Sequence, residues 1–214
     1  RDRLDALHAS EQRLNLALDG GELGLWDTDF RTGKITVNAR CAAMLGETHG
    51  AFCPDIHEWQ NRVHPEDQHR MRYAATEHLK GHTVMFESEF RIRHRDGHWV
   101  WLLSRGKVVE RNAQSRAVRL IGTLLDITER KSTEARQVLH EAIQCRLPLL
   151  LDADALNLLA CDRELKAQIT NREHPVILTP HPTEAARLLD CTTEEVQRDR
   201  IAAAKKICQD YRAH

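Results

Sequence analysis

The chain has 214 residues, of which 41% are hydrophobic and 29% are charged, and its 31 basic and 32 acidic residues give a formal net charge of −1. This length fits one large domain or two small ones, and this composition excludes a disordered or collagen-like chain. The balanced charge excludes a nucleic-acid partner attracted by a positive field, and no apolar run approaches the ~20 residues that a membrane-spanning helix needs.

The first third of the chain predicts a helix, two strands and then more helices. Leucines between Leu4 and Leu18 indicate an initial helix, and short strands bounded by glycine follow at 24–30 and 34–37. His64 and Pro65 precede two acidic residues. Proline suits the first helical position and acidic side chains favour the first turn, so a helix is expected to begin here, with His64 as its cap.

A hairpin and a final strand complete this part. Apolar and charged residues alternate from Val84 to Arg93, which is typical of a strand with one buried face. The turn Asp96-Gly97 leads into a second strand at 98–103, and a last strand is expected at 118–126. The predicted order is two strands, helices, then three strands.

Five motifs in this order resemble a PAS domain with its C-terminal PAC motif, over roughly residues 11–131. They are Gly24-Leu25-Trp26-Asp27 with Thr32-Gly33, Val63-His64-Pro65-Glu66-Asp67, Phe90 to Gly97, Trp99-Val100-Trp101, and Gly122 to Lys131. The resemblance implies an α+β PAS fold, an antiparallel five-stranded sheet with helices, over residues 1–131. It also implies a sensory module of bacterial signalling that binds a ligand of unknown identity and forms a homodimer.

Cysteine and tryptophan side chains in this part are expected in the core. The six cysteines of the chain include no CxxC pair, which favours a reducing, cytoplasmic location. Cys41 lies outside the Asn-Cys-Arg-Phe type of motif that flavin photosensors resembling this domain carry, so burial is expected for it. Trp26, Trp99 and Trp101 lie on predicted strands and are expected to pack inside, with ligand stacking as the alternative.

Histidines are numerous in this part, but their spacing does not predict a metal site. No cysteine or glutamate is placed to complete a tetrahedral set with the pair that flanks the Asp-Gly turn. Solvated surface positions are therefore expected, with no bound metal. These histidines are His57, His64, His69, His78, His82, His94 and His98.

Asp126 ends the last strand just before a charged helical run, in the segment through which PAS domains pass a signal to a following helix. We expect Asp126 and Thr128 to couple this domain to the residues beyond 131. A simple helix cap is the alternative for Asp126.

The second part, residues 132–214, predicts an α/β arrangement. A helix over 135–143 leads into the apolar run 147–151, and a second apolar run lies at 176–178. Polar groups and a helix follow each run, and ligands bind at the carboxyl ends of parallel strands. Thr192 is expected to open a single final helix that reaches Tyr211, with Val196, Ala204, Ile207 and Cys208 on its apolar side.

Two segments here resemble ADP- or ATP-dependent NAD(P)H-hydrate dehydratases, which are lyases with a ribokinase-like fold that repair hydrated NADH and NADPH. The segments are Leu151 to Leu159 and Leu178 to Leu189. The resemblance implies an incomplete α/β ribokinase-like segment, with ADP or ATP and an NAD(P)H hydrate as ligands. It places substrate contacts at His181, Pro182, Thr183, Glu184 and Arg187, beside Asp152, Asp154 and Asn157.

One residue departs from this family, and others have roles that can be argued from the residues themselves. Thr183 stands where the family usually has glycine, and a Cβ there is expected to crowd a ligand or alter the turn. Pro182 leaves His181 at a helix start, where free N–H groups suit a phosphate or a ribose. For Asp152 and Asp154, the alternative to a substrate contact is N-capping of the helix that follows them.

The family's phosphate-binding and catalytic Gly-x-Gly-Asp segment lies downstream of the matched residues, and no glycine occurs from Thr123 to His214. We therefore expect no catalytic residue here and a truncated, inactive dehydratase segment. The alternative is an enzyme completed by sequence or a chain not present here. A natural fusion and a gene-assembly artefact both remain open explanations of the junction near residue 131.

Overall fold

Two compact units make up the chain, residues 1–129 (unit 1) and residues 130–214 (unit 2). The computed structural model describes residues 2–48, 50, 52 and 54–214. Unit 1 contains α1 (Asp2–Gly20), β1 (Gly24–Asp29), β2 (Lys34–Val37), α2 (Ala39–Met44), α3 (Ile56–Arg62), α4 (Pro65–Leu79), β3 (Phe86–Arg93), β4 (Trp99–Arg111) and β5 (Ala117–Asp126). Helix α5 (Thr128–Gln144) contains the boundary, and unit 2 continues with β6 (Leu149–Leu151), α6 (Asp154–Cys161), α7 (Arg163–Thr170), β7 (Val176–Leu178), α8 (Pro182–Leu189), α9 (Thr193–Arg198) and α10 (Arg200–Tyr211).

Unit 1 is built on the antiparallel five-stranded sheet that the sequence predicts, in the order β2-β1-β5-β4-β3. Alternate side chains of its strands point to one face, where they form a single core with apolar side chains of α2, α3 and α4. Cys41 is fully buried in this core, as expected, and its burial raises the pKa of its thiol to about 12. The α+β prediction for this part is therefore confirmed.

A tryptophan lies across two glycines at the centre of this sheet. Gly106 of β4 is paired with Gly122 of β5, and Gly122 is also paired with Trp26 of β1. The indole of Trp26 lies so close to both glycines that an added Cβ would be 2.7 Å from the ring at Gly106. Its Nε1 donates to the Thr123 carbonyl oxygen at 3.2 Å. The two missing side chains thus provide the space that the indole occupies.

An ion pair ties α4 to β3. Asp67 is 4% exposed, and its Oδ2 accepts hydrogen bonds from the backbone N–H of Arg91 at 3.0 Å and from its Nε at 2.8 Å. Burial acts to raise the pKa of Asp67, but the hydrogen bonds and charge of Arg91 outweigh it, so the pKa is lowered. The helix start at Pro65 is as predicted, with His64 Nδ1 accepting from the Glu66 N–H at 3.3 Å.

Several side chains of unit 1 do not lie where the sequence predicts. Trp99 is 39% exposed and Trp101 is only half-buried, because Val100 and Leu102 occupy the inner face of β4 and the pleat turns their neighbours outward. Val84 is 83% exposed because β3 begins only at Phe86. Trp26 is buried, as expected.

His78 is a further correction, since it is buried and not a surface residue. Its Nε2 accepts from the Val108 N–H at 3.1 Å, and its Nδ1 lies 3.0 Å from the Thr83 carbonyl oxygen. These contacts fasten the end of α4 to β4 and replace the water that a surface imidazole would bind.

Unit 2 contains a two-stranded parallel sheet, β6 and β7, with helices packed on one of its faces. Leu151 and Leu178 point into this core, whereas Leu150 and Ile177 lie opposite each other in register and are exposed. Parallel sheets are usually covered on both faces. Within the described part of the chain, helices thus cover one face of this sheet and leave Leu150 and Ile177 exposed on the other, which agrees with an incomplete α/β segment.

The C-terminal region of unit 2 departs from the prediction of one helix. The chain forms two helices, α9 and α10, which are separated at Asp199, whose side chain accepts from the Ala202 N–H at 2.9 Å. The predicted capping box at Thr192 and Glu195 is present. Ala204 and Cys208 are exposed, so the apolar side of this region is narrower than expected and consists of Val196, Ile207 and Tyr211.

Two further predictions concern unpaired cysteines and the lack of a membrane-spanning helix. Cys41, Cys145, Cys161, Cys191 and Cys208 are free, whereas Cys53 lies outside the described residues. Across 2–48, 50, 52 and 54–214, no helix combines the length and the apolar character needed to cross a bilayer.

Candidate ligand sites in the two units

Unit 1 contains a cavity between its sheet and its helices that is partly open to solvent. The cavity has a volume of about 260 Å³, and its walls are mainly large apolar side chains. They include Trp26, Ile35 and Phe90 of the sheet, Phe30 directly after β1, Trp59 of α3 and Met71 of α4. Arg72 is the charged side chain among the described lining residues, and it is exposed. An apolar, uncharged molecule therefore matches these walls.

Three buried hydroxyl groups lie in or beside this apolar wall. Thr28 and Ser104 are both buried and line the cavity. Ser88 is paired with Ser104 and lies on the same face of β3 as Phe86 and Phe90, which line the cavity. The Ser88 Oγ is buried and has no hydrogen-bond partner. Unpaired buried polar atoms are rare in folded proteins, and this one lies beside the cavity without lining it.

The junction residues Asp126 and Thr128 have distinct bonds. Asp126 Oδ1 accepts from the Thr128 N–H at 2.8 Å, at the start of α5. The Thr128 Oγ1 accepts from the Trp101 N–H at 3.0 Å, and the Ile127 N–H donates to the Trp101 carbonyl oxygen at 2.9 Å. Asp126 thus makes a cap-like bond, while Thr128 anchors the start of α5 to β4.

In unit 2, the two segments that resemble the dehydratases meet at one edge of the parallel sheet. Asp152 and Asp154 follow β6, and His181 follows β7. The N–H and the Oγ1 of Thr179 both approach the Leu151 carbonyl oxygen, at 3.2 and 3.3 Å, and so hold the two strand ends together. The placement of both segments at the carboxyl ends of the strands matches the usual position of ligands in such sheets.

Neither aspartate caps α6. The N-cap position is Ala153, and no side chain caps this helix; Asp152 accepts instead from the Ala153 N–H at 2.9 Å. Ala153 has a φ of 47°, a conformation that costs an L-residue with a Cβ roughly 1–3 kcal/mol. Such strain is concentrated at functional sites, and here it lies between two exposed carboxylates. N-capping, the alternative for the two aspartates, is therefore wrong.

His181 caps α8 and uses the N–H groups that were expected to be free. Its Nδ1 accepts from the N–H groups of Thr183 and Glu184, at 3.2 and 3.3 Å, and Pro182 has no N–H. Glu184 is buried, and its carboxylate accepts from the His181 N–H at 3.0 Å. With its donors taken and an acidic group beside it, this helix start does not suit a phosphate.

The remaining predicted contacts join α6 to α8. Arg187 Nη1 donates to the Asn157 Oδ1 at 2.5 Å, so these two side chains form a polar wall beside the aspartates. Thr183 lies in the first turn of α8 and is exposed, and it is not among the residues with positive φ. The backbone at this position therefore does not require glycine, and crowding of a ligand or a change of the turn by the Thr183 Cβ stays a prediction.

The phosphates of ADP or ATP do not fit the residues present in unit 2. Close approach of backbone to phosphate is normally provided by glycines, and unit 2 contains none. At the start of α8, where a phosphate was expected to bind, the backbone N–H groups of Thr183 and Glu184 already donate to the His181 side chain. Asp152, Asp154, Asn157 and Arg187 suit the hydroxyl groups of a ribose better, because they offer both acceptors and donors.

Three features of these sites were not recognised in the sequence. The unpaired Ser88 hydroxyl and the strained Ala153 backbone depend on packing and φ, which residue types alone do not reveal. The spacing of His94 and His98 does not predict that Asp96 joins them: donor atoms of the three side chains lie within 4.8 Å of one another.

Comparison with known proteins finds two different similarities, each over part of the chain. The PAS fold family matches residues 34–124. The solved structure of a sensory box histidine kinase/response regulator from Burkholderia thailandensis E264 is 31% identical with a TM-score of 0.53, over 62% of this chain and 98% of that chain.

Curated relatives resemble a shorter stretch. The bifunctional NAD(P)H-hydrate repair enzyme Nnr of Escherichia coli K12 is 42% identical over 76 residues, 36% of this chain and 13% of that protein. The ADP-dependent (S)-NAD(P)H-hydrate dehydratase of Neisseria meningitidis serogroup B is 53% identical over 60 residues, 28% of this chain and 20% of that protein. The chain thus spans a fifth or less of these two relatives.

Proposed function

We propose that unit 1, whose residues 34–124 match the PAS fold family, is a sensory module of bacterial signal transduction that binds a small molecule in the cavity between its sheet and its helices. The observation that carries this proposal is the apolar cavity of about 260 Å³ with the buried hydroxyls of Thr28 and Ser104 in its wall. An uncharged molecule with an aromatic or aliphatic body and one hydrogen-bonding group fits this chemistry. A reducing, cytoplasmic location belongs to the same proposal.

Signal transfer in this proposal passes through the start of α5. Ligand contact with Ser104 on β4 would bear on the same strand whose Trp101 backbone holds Thr128. Asp126, which accepts from the Thr128 N–H, would set how firmly α5 begins. A homodimer formed through unit 1 belongs to the same proposal.

The cavity can be tested with indole as the probe, because indole is a small aromatic molecule with a single N–H donor. We expect saturable changes in the amide resonances of Ser104 and Leu120, which line the cavity. The variant Ala75→Leu places added carbons in this space and should weaken indole binding roughly tenfold.

Ala113→Leu is the matched control, since it makes the same change at an exposed turn residue and should leave indole binding unaltered. If indole changed only resonances outside the cavity, or if the two variants bound indole equally well, the cavity would not be its binding site.

A second function is favoured by the 53% identity to the Neisseria meningitidis dehydratase and by the polar wall at the strand ends of unit 2. We propose that unit 2 holds part of a binding surface for the ribose groups of NADH or its hydrate, without catalysing dehydration by itself. Arg187, Asn157 and the two aspartates would contact the hydroxyl groups. Full dehydratase activity would require the glycine-rich segment that the resemblance places downstream.

We expect millimolar NADH to slow hydrogen exchange at residues 181–187, and Arg187→Ala to abolish this protection. Arg163→Ala is the control, because Arg163 is an exposed arginine of the same unit on α7. Unchanged exchange at saturating NADH, measured by mass spectrometry on the full chain, would remove this second function and leave the sensory proposal intact.

A further inference from the structure

The β3–β4 turn of unit 1 brings two imidazoles and a carboxylate together. The His94 N–H donates to the His98 carbonyl oxygen, and the Gly97 N–H donates to the His94 carbonyl oxygen, both at 2.9 Å. These bonds close the turn and leave the two histidines side by side. Their rings stack with centroids 4.2 Å apart and planes 24° apart.

Asp96 lies at the tip of the same turn. Its Oδ2 is 3.5 Å from the His94 Nδ1, and one donor atom from each of the three residues lies within 4.8 Å of the others. A metal ion with bonds of roughly 2.0–2.2 Å needs its donors about 3.3 Å apart. Asp96 and His98 are exposed, so small side-chain rotations can close the difference at little packing cost.

His94 is the fixed member of this set. Its ring lies against the backbone of Gly46, whose φ is 70°, and the Arg95 N–H donates to the Leu45 carbonyl oxygen at 3.0 Å. The His94 Nδ1 accepts from the Asp96 N–H at 3.1 Å, so its lone pair already points into the turn. One ligand is therefore oriented before any ion arrives.

We propose that His94, Asp96 and His98 bind a divalent transition-metal ion of the Zn²⁺ or Ni²⁺ kind, with water completing the coordination. Imidazole nitrogens favour these ions, whereas Mg²⁺ and Ca²⁺ require mainly oxygen ligands. The ion replaces the weak Asp96 N–H contact at Nδ1 and links the strand ends of the hairpin through side chains as well as backbone. The site lies on the turn, and it uses no side chain that lines the cavity.

Calorimetric titration of the full chain with Zn²⁺ and with Ni²⁺, under reducing conditions, tests this site. We expect His98→Ala and Asp96→Asn each to weaken the binding by tenfold or more, and Mg²⁺ to give no heat of binding at the same concentrations. His69→Ala is the matched control: it removes an exposed histidine of α4 and should leave the affinity unchanged.

Amide resonances locate the ion independently of affinity. Binding should shift the signals of residues 94–98 in the unaltered chain and in His69→Ala, but not in His98→Ala. Equal affinity of all three variants, shifts confined to other residues, or no binding at millimolar metal would each overturn the proposal. Because Asp96 and His98 are exposed, their variants should unfold at the temperature of the unaltered chain without metal.

Discussion

Gly122→Ala should be the most destabilising single-methyl change in unit 1, lowering its free energy of unfolding by about 3 kcal/mol or more. A Cβ at Gly122 would collide with the Arg105 carbonyl oxygen and would lie 2.7 Å from Cε2 of Trp26. Backbone cannot move away as a flexible side chain can, so β4 and β5 must separate or the indole must leave its place. Urea unfolding followed by tryptophan fluorescence would measure the loss.

Gly20→Ala is the control for this change. Nothing lies within 4 Å of a Cβ at Gly20, the last residue of α1, so its substitution should change stability by no more than about 1 kcal/mol. Similar unfolding midpoints for the two variants would show that the indole does not depend on the paired glycines.

Asp67→Asn should lower the stability of unit 1 by roughly 2–4 kcal/mol. An amide oxygen in the place of Oδ2 can keep the two Arg91 bonds to that atom, but the NH₂ group then replaces Oδ1, to which the Arg91 Nη2 donates at 3.3 Å. The variant therefore loses this acceptor and also the negative charge that is paired with Arg91. Glu66→Gln alters a second partner of Arg91 that is exposed and should have a much smaller effect. Thermal unfolding measures both variants. If they lost similar amounts of stability, burial of the Asp67 carboxylate would not be what makes its pair with Arg91 the stronger one.

The ion pair of Asp67 and Arg91 should also make the stability of unit 1 depend on pH. The pKa of Asp67 is lowered in the folded chain relative to its unfolded value of about 3.9. Its contribution to stability is therefore complete above about pH 4 and is lost as the pH falls through the lower folded pKa. Between about pH 5 and about pH 3, the unaltered chain should lose more stability than Asp67→Asn, since the variant has no carboxylate to protonate at this position.

The strand order of unit 1 could be predicted because local patterns and turns agree there. Alternation from Phe86 to Arg93 and the Asp96-Gly97 turn determine a hairpin without any knowledge of distant residues. The orientation of Trp99 could not be predicted in this way. In a strand, both faces can accept an aromatic side chain, and only packing decides which face is covered.

In unit 2, the sequence predicts which segments meet but not how their polar groups are used. Strands β6 and β7 pair in parallel and bring the aspartates and His181 to one edge, as the pattern of apolar runs indicates. The capping box of His181 and Glu184 occupies the donors that the anion-site hypothesis required. Whether a helix start is free depends on side-chain rotamers, which the sequence pattern does not specify.

Because Cys41 is buried, the rate at which it is alkylated reports how often unit 1 opens. A thiol with a pKa of about 12 is almost entirely protonated at neutral pH, and here it is also shielded from reagent. Cys145, Cys161 and Cys208 are exposed, so they should be modified at once in the folded chain. The rate of mass increase on the peptide that contains Cys41 then measures the opening of unit 1. The rates at the exposed thiols give the reactivity of the reagent with an accessible cysteine.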